Sequence, residues 1–330
     1  VDTYKIAIFF DGTWNTVDDE HSFSNVKKLK DLTVEKYNDN NHDDHYITDV
    51  HYEEGPGTNP QYYFAGGAFA ADLGIPILNA YNWLCRRYIN YAISGIFPEI
   101  YLFGFSRGAY ICHVFSWILS EIGITKDISL CEKIINSYVD KNTDTLERLT
   151  NAESYEKYQP VIRMLGLWDM VSAPLDIHQN YNDGVAAPIV KTIYHAMSLD
   201  EKRTFFPVSK YPNNDSKIQQ HWFSGVHSDV GGGYEDDNTL SNISLAWMVQ
   251  CACDEDLILK DIKAEGYPIS YANEPANDIQ KIDFLKLKIH DESGSQNNPR
   301  TCEGEPIDIS VRLRMAQNAS YHPKAKDFPL

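Results

Sequence analysis

The chain has 330 residues, 43% of them hydrophobic, with 47 acidic and 29 basic side chains and a formal charge of −18. That length suits one large α/β domain, or a core with insertions, and needs neither disulfides nor a structural metal to hold a core; the composition excludes general disorder. The negative charge repels nucleic acid at long range, which argues against DNA or RNA as the main partner, while a local apolar mouth could still meet a bilayer.

Taken in chain order, Tyr4 to Phe10 is a short apolar, β-rich run that ends at the turn Asp11-Gly12-Thr13. Residues 37–44 read as an Asn/Asp-rich loop, and His45 to Tyr52 as a second strand. Small and apolar residues at helical spacing fill residues 65–97, where Gly74 and Pro76 predict a break into two helices. Glu99 to Gly104 is a strand and Arg107 to Gly123 a helix. Residues 125–157 read as a polar helical insertion over the core. Val161 to Trp168 is a strand ending at Asp169, and Ala187 to Leu199 reads as a helix. Gln219 to Val226 is a strand ending at His227, Asn242 to Cys253 an amphipathic helix, and Lys288 to Asp308 a long Gly/Ser/Asn/Pro-rich loop. Strands alternating with helices predict a mainly parallel sheet covered on both faces. The expectation is a single α/β-hydrolase-type domain over residues 1–330, with helical insertions at about 65–97 and 125–157 and a less defined region over 255–330.

The six cysteines are scattered, without zinc-ligand spacing, and read as free thiols of a protein made in a reducing compartment, the cytoplasm. No apolar run reaches the length of a membrane span, no signal peptide is visible, and no EF-hand spacing is present. No metal or cofactor is expected.

Gly104-Phe105-Ser106-Arg107-Gly108 matches G-x-S-x-G, between an apolar β run and a helical pattern. That is the setting of a nucleophile elbow: a strained strand-to-helix turn exposes the serine, and glycines two residues to either side leave room for it. The turn puts Ser106 at a helix N-terminus, where the Arg107 backbone N–H can help stabilise an oxyanion.

A hydrolase serine needs a base and an acid, in chain order Ser, Asp or Glu, then His, each just after a strand. Asp169 and His227 satisfy that order. Asp229 is the alternative acid, read in preference as a supporting residue that hydrogen-bonds the glycine loop Gly231 to Gly233. His322 also fits the order and is the alternative base. His113 lies two helical turns beyond Ser106, and His195 falls in a helical pattern with Asp200 to Arg203. In the first loop, Asp11-Gly12-Thr13 resembles the start of a haloacid-dehalogenase phosphatase. Phe9 occupies the place of the required nucleophilic aspartate, so that chemistry is rejected. Gly12 or Thr13 N–H is instead a candidate second oxyanion donor, with Asp11 and Asn15 bracing the loop. The glycine run lacks the spacing of a P-loop or dinucleotide site and reads as backbone room near His227.

Several segments together resemble one family: FFDGTWN (Phe9 to Asn15), EEGPGT (Glu53 to Thr58), YLFGFSRGAY (Tyr101 to Tyr110), LGLWDMVSA (Leu165 to Ala173), YHAMSLDEKR (Tyr194 to Arg203) and WFSGVHSDVGGGY (Trp222 to Tyr234). They are similar to the α/β-hydrolase domain family that includes the catalytic domain of type VI secretion phospholipase effectors, over roughly Tyr4 to Cys253. The resemblance implies a Ser106–Asp169–His227 triad and ester hydrolysis of glycerophospholipids. It further implies an antibacterial effector secreted into a target cell (the periplasm), with transient membrane contact and a delivery or immunity protein as partner. Two other readings stay open on the residues alone: a cytosolic esterase of small soluble substrates, and a non-catalytic binding module on the same fold.

Overall fold

A computed structural model describes residues 3–12, 23–39, 44–55, 68–139, 142–152, 155–172, 184–213, 215–271 and 275–329. Strand β1 (Thr3–Phe10) leads through α1 (Asn25–Leu32) to a hairpin of β2 (Lys36–Asp39) and β3 (Asp44–Glu53). Helix α2 (Ala68–Ile93), β4 (Glu99–Phe105) and α3 (Arg107–Ile122) follow. A small two-stranded ribbon of β5 (Ile124–Thr125) and β6 (Lys157–Tyr158) closes the base of α4 (Ile128–Val139) and α5 (Thr143–Thr150). The chain then returns through β7 (Ile162–Trp168), β8 (Val190–Ser198) and β9 (Ile218–Phe223) to α6 (His227–Gly231), α7 (Thr239–Asp254), α8 (Pro275–Gln280) and α9 (Ile309–Gln317).

Seven strands form one sheet in the order β2-β3-β1-β4-β7-β8-β9, parallel throughout except for the β2–β3 pair. Alternate residues of each central strand supply two cores. Ile6, Ile8 and Phe10 of β1, Ile100 and Leu102 of β4, and Leu165 and Leu167 of β7 pack with α2, α3 and α4. Ala7 and Phe9, Tyr101 and Phe103, and Met164 and Trp168 face the other way, onto α1 and α7. A third cluster joins Met197, Leu199 and Trp222 to Val311, Tyr321 and Ala325 of the C-terminal region, whose backbone pairs with Trp222 at the β9 edge. This is the α/β-hydrolase-like class expected. Because β3 and β4 lie on opposite sides of β1, the strand order switches there, and open sheets of this kind place their sites at the carboxyl ends of the strands beside such a switch.

Three local expectations change. The run around Ala187 to Leu199 is strand β8 rather than a helix. It lies between β7 and β9 with its last six residues buried, so it shows no alternation, and a fully covered strand cannot be told from a buried helix by periodicity. Among the described residues of the 65–97 stretch there is a single helix, α2, that runs through Pro76. Proline removes the donor for the Asp72 carbonyl but keeps a helical φ, and the buried stripe Ile77, Ala80, Tyr81, Leu84, Cys85 and Tyr88 carries the helix past it. The Asn/Asp-rich stretch contributes β2, antiparallel to β3.

Candidate active site

Four strands deliver the predicted side chains to one end of the sheet. Ser106 follows β4 directly and has φ 58° and ψ −121°, a backbone state that L-residues avoid unless the surroundings impose it. The imposition is visible. Ser106 N–H donates to the Trp168 carbonyl (2.9 Å) at the end of β7, and the Ser106 carbonyl accepts from Tyr110 N–H (3.3 Å) in the first turn of α3. Gly108 packs against the end of β1 so closely that a Cβ there would collide with the Phe10 carbonyl oxygen. Gly108→Ala is therefore expected to lower stability by about 2–4 kcal/mol, read as a fall in the thermal midpoint; an unchanged midpoint would show that the junction has slack.

Asp169, immediately after β7, also has a positive φ, 43°, and is fully buried. Its carboxylate is an acceptor for five donors. Oδ1 accepts from Ser198 N–H (2.7 Å) and Arg300 Nη1 (2.6 Å), and Oδ2 from Ser198 Oγ (3.0 Å), Arg300 Nη2 (3.0 Å) and His227 Nδ1 (2.5 Å). Burial opposes ionisation of Asp169, but the Arg300 charge and the His227 and Arg300 hydrogen bonds outweigh it and hold the carboxyl far below the usual carboxylate range. An ionised carboxylate only accepts, so Nδ1 carries a proton, and it is Nε2 that can offer a lone pair as a base.

His227 is the first residue of α6, just beyond β9, and is buried between two rings: Phe105 at 4.6 Å and Phe206 at 5.0 Å between centroids. The Phe105 ring occupies the space that the missing side chain of Gly231 leaves open, so the expected backbone room near the histidine is filled by an aromatic. His227 N–H donates to Glu201 Oε2 (3.2 Å), and Glu201 also accepts from Arg203. Among the described residues no hydrogen bond joins Ser106 Oγ to His227; such contacts often tighten only when substrate is bound.

The remaining candidates divide. Asp11, buried at the end of β1, accepts from Ser24 Oγ and Tyr52 OH (both 2.6 Å) and from Gly12 N–H (2.6 Å), so the Gly12 donor is engaged by the carboxylate that braces its loop. Thr13 and Asn15 lie outside the described residues. Asp229 does not bond the glycine loop, as the sequence suggested. It accepts from Val226 N–H (3.0 Å), and its other oxygen meets His290 Nδ1 (2.5 Å), because the C-terminal segment folds back over α6. His322 is exposed on that segment. His195 sits on β8 and accepts Met170 N–H at Nε2 (3.0 Å); burial pushes it down to about 4, so it serves as a neutral prop behind Asp169. His113 bonds the Tyr211 hydroxyl (2.8 Å) inside the core, and burial likewise takes it to about 4.

Ser198, Glu201 and Arg300 escaped the sequence reading. The first two stand at and just past the end of β8, where a correct strand assignment would have pointed to them. Arg300 carries no local signal: it sits in the Gly/Ser/Asn/Pro-rich stretch, 131 residues from its carboxylate partner. Among the described residues no cluster of three or more His, Cys, Asp or Glu could hold a metal ion, and no helix is long and apolar enough to cross a membrane.

No curated protein sequence matches the chain. A solved structure of the Tle1 effector bound to the VgrG spike of the type 6 secretion system shares 13% identity at a TM-score of 0.49, covering 80% of this chain and 75% of that one. A crystal structure of an uncharacterized protein from Pseudomonas aeruginosa shares 17% identity at a TM-score of 0.50. It covers 98% of this chain, which spans 52% of that protein's length, and the likeness is one of fold. The family model for the catalytic domain of Tle1-like type VI secretion phospholipase effectors matches residues 4–251, from β1 into α7 and through every strand of the sheet. The chain therefore belongs to the Tle1-like phospholipase effector family of the type VI secretion system.

Proposed function

We propose that the protein is a serine hydrolase that cleaves the carboxylic esters of glycerophospholipids through an acyl-enzyme on Ser106. The observation that carries this reading is the strained Ser106 turn at the head of α3, together with the buried Asp169–His227 pair at the ends of β7 and β9. His227 Nε2 takes the proton of Ser106 as Oγ attacks the ester carbonyl. The tetrahedral oxyanion forms at the N-terminus of α3, where the Arg107 N–H and the helix dipole stabilise it. The imidazolium, balanced by Asp169, returns the proton to the departing lysolipid alcohol. Water, activated by the same imidazole, then releases the fatty acid.

Phospholipid as substrate rests on family membership. One surface feature supports it: Phe205 is 69% exposed next to Phe206, whose ring covers His227. Inserting such a ring into a bilayer contributes on the order of 1.5–2 kcal/mol. Phe205→Asp should therefore cut turnover of vesicle phospholipid about tenfold while sparing a short soluble ester; equal loss on both substrates would remove the membrane role. Delivery by a type VI spike into a target cell and neutralisation by an immunity protein are part of the same proposal.

The test is release of fatty acid from phospholipid vesicles of varied surface charge by purified protein. Hydrolysis of soluble esters with phospholipid untouched at every charge would replace this reading with that of a small-substrate esterase. The alternative base is tested in the same assay: His322→Ala should keep the rate within about twofold, and His227→Ala should lose at least ~10³-fold.

A further inference from the structure

We propose that Arg300 is a positioning residue of this site, acting on His227 through the Asp169 carboxylate and the Phe206 carbonyl. The assignment rests on the serine-hydrolase reading above and extends the site beyond residues 4–251, into a segment the family model does not match.

Arg300 is buried and presents its fork to Asp169, Nη1 to Oδ1 (2.6 Å) and Nη2 to Oδ2 (3.0 Å). Nη1 also donates to the Ser198 carbonyl (3.0 Å) and to Ser198 Oγ (2.5 Å), and that hydroxyl in turn donates to Asp169. Nη2 also donates to the Phe206 carbonyl (2.8 Å), and the Phe206 ring lies edge-on to the His227 imidazole. One guanidinium thus fixes both the acid behind the imidazole and the ring beside it. A fork with two parallel bonds sets the rotation of a carboxylate, which a point charge does not.

The Arg300 backbone is itself anchored. Its carbonyl accepts from Lys326 N–H (2.7 Å), and Thr301 bridges Lys326. Near that anchor, Lys324 N–H and Tyr321 OH both donate to Asp200, which receives Gly225 N–H in the loop leading to His227. The C-terminal segment therefore grips the acid and the loop of the base together.

The chemical consequence is electrostatic as well as geometric. Asp169 must attract the imidazolium that forms during attack, yet a bare buried carboxylate would be costly and prone to protonation. Arg300 keeps it ionised and shares its charge. Among the described residues, Glu201 accepts from His227 N–H and from Arg203, His195 accepts from Met170 N–H beside Asp169, and Asp229, two residues beyond His227, is taken up by His290. Only Arg300 bonds Asp169 directly among these cations.

The experiment is a mutant cycle on the full chain, with steady-state hydrolysis of a soluble ester and the pH–rate profile as readouts. Arg300→Met should lower kcat ~10²-fold with KM within about twofold, because the reacting groups are misaligned and ester binding is untouched. Its acid limb should move to higher pH, since the cation no longer opposes charging of the imidazole. Arg300→Lys should keep the limb in place and lose about tenfold in kcat, having the charge without the fork. If Arg300→Met does not fold, D169N/R300M removes both buried charges together; its kcat should lie within about threefold of D169N alone.

A full further loss on the D169N background, or wild-type kcat in either Arg300 variant, would overturn the assignment. Ser106→Ala in the same assay separates the two claims. If it stays active, the serine-hydrolase reading fails. If it is inactive while Arg300→Met runs at the wild-type rate, only the role of Arg300 fails.

Discussion

Ser106→Ala should abolish ester hydrolysis, lowering kcat by ~10⁴-fold or more while leaving the fold intact. The methyl group fits wherever the serine does, and no side-chain hydrogen bond of Ser106 is lost among the described residues; the bonds that hold its turn are made by its backbone. The thermal midpoint should therefore stay close to that of the parent, because alanine bears the same backbone strain at φ 58°. A variant with full folded signal and residual turnover within tenfold of the parent would mean that another group performs the attack. KM for a soluble ester should change little, because the serine contributes to the reaction rather than to ground-state binding.

Asp169→Asn should cost ~10³–10⁴-fold in kcat and, unlike Ser106→Ala, should also destabilise the protein. Asparagine can present N–H where His227 Nδ1 needs an acceptor, so the imidazole loses its orientation and its counter-charge. It also leaves the Arg300 guanidinium buried opposite a neutral group, and breaking such a pair costs about 3–5 kcal/mol. The pH dependence has a definite sign. The Asp169 carboxyl is depressed in the folded state, with burial opposed and outweighed by Arg300 and His227. Its contribution to stability is therefore complete above the ordinary carboxylate pKa of about 3.9 and is lost as pH falls below it, where the unfolded chain takes up the proton first. The stability gap between parent and variant should narrow as pH falls below about 4. Chemical denaturation at a series of pH values measures the gap; a gap that widened in acid would contradict the charge state assigned to Asp169.

These two residues were legible in the sequence for a physical reason. A nucleophile turn is a local object: an apolar strand, a glycine on each side and a helix start within a dozen residues are sufficient to mark it. The partners Asp169 and His227 are not local to Ser106. Each nevertheless stands at the end of an apolar run, and the chain order of a parallel sheet brings such ends together. The reading failed where packing alone decides. Strand β8 is covered on both faces, so its sequence lacks the alternation that marks a half-exposed strand, and with it Ser198 and Glu201 were missed as residues of the site. Pro76 marked a break that the buried stripe of α2 overrides. Asp229 lay within reach of the glycine loop by sequence distance, yet its partner is His290, 61 residues away. Arg300 depends on the C-terminal segment folding back across the sheet edge, where Trp222 N–H donates to the Pro306 carbonyl (2.9 Å), and no pattern within its own stretch announces that.

Ser106 as the nucleophile, activated by His227, is the claim on which the rest depends. Treatment of the purified protein with a fluorophosphonate ester, followed by mass spectrometry of its peptides, tests it most directly. One phosphonyl adduct, on Ser106, is expected in the parent, and none on the same time scale in His227→Ala. No adduct under conditions that label a control serine hydrolase, or an adduct on a different residue, would contradict it.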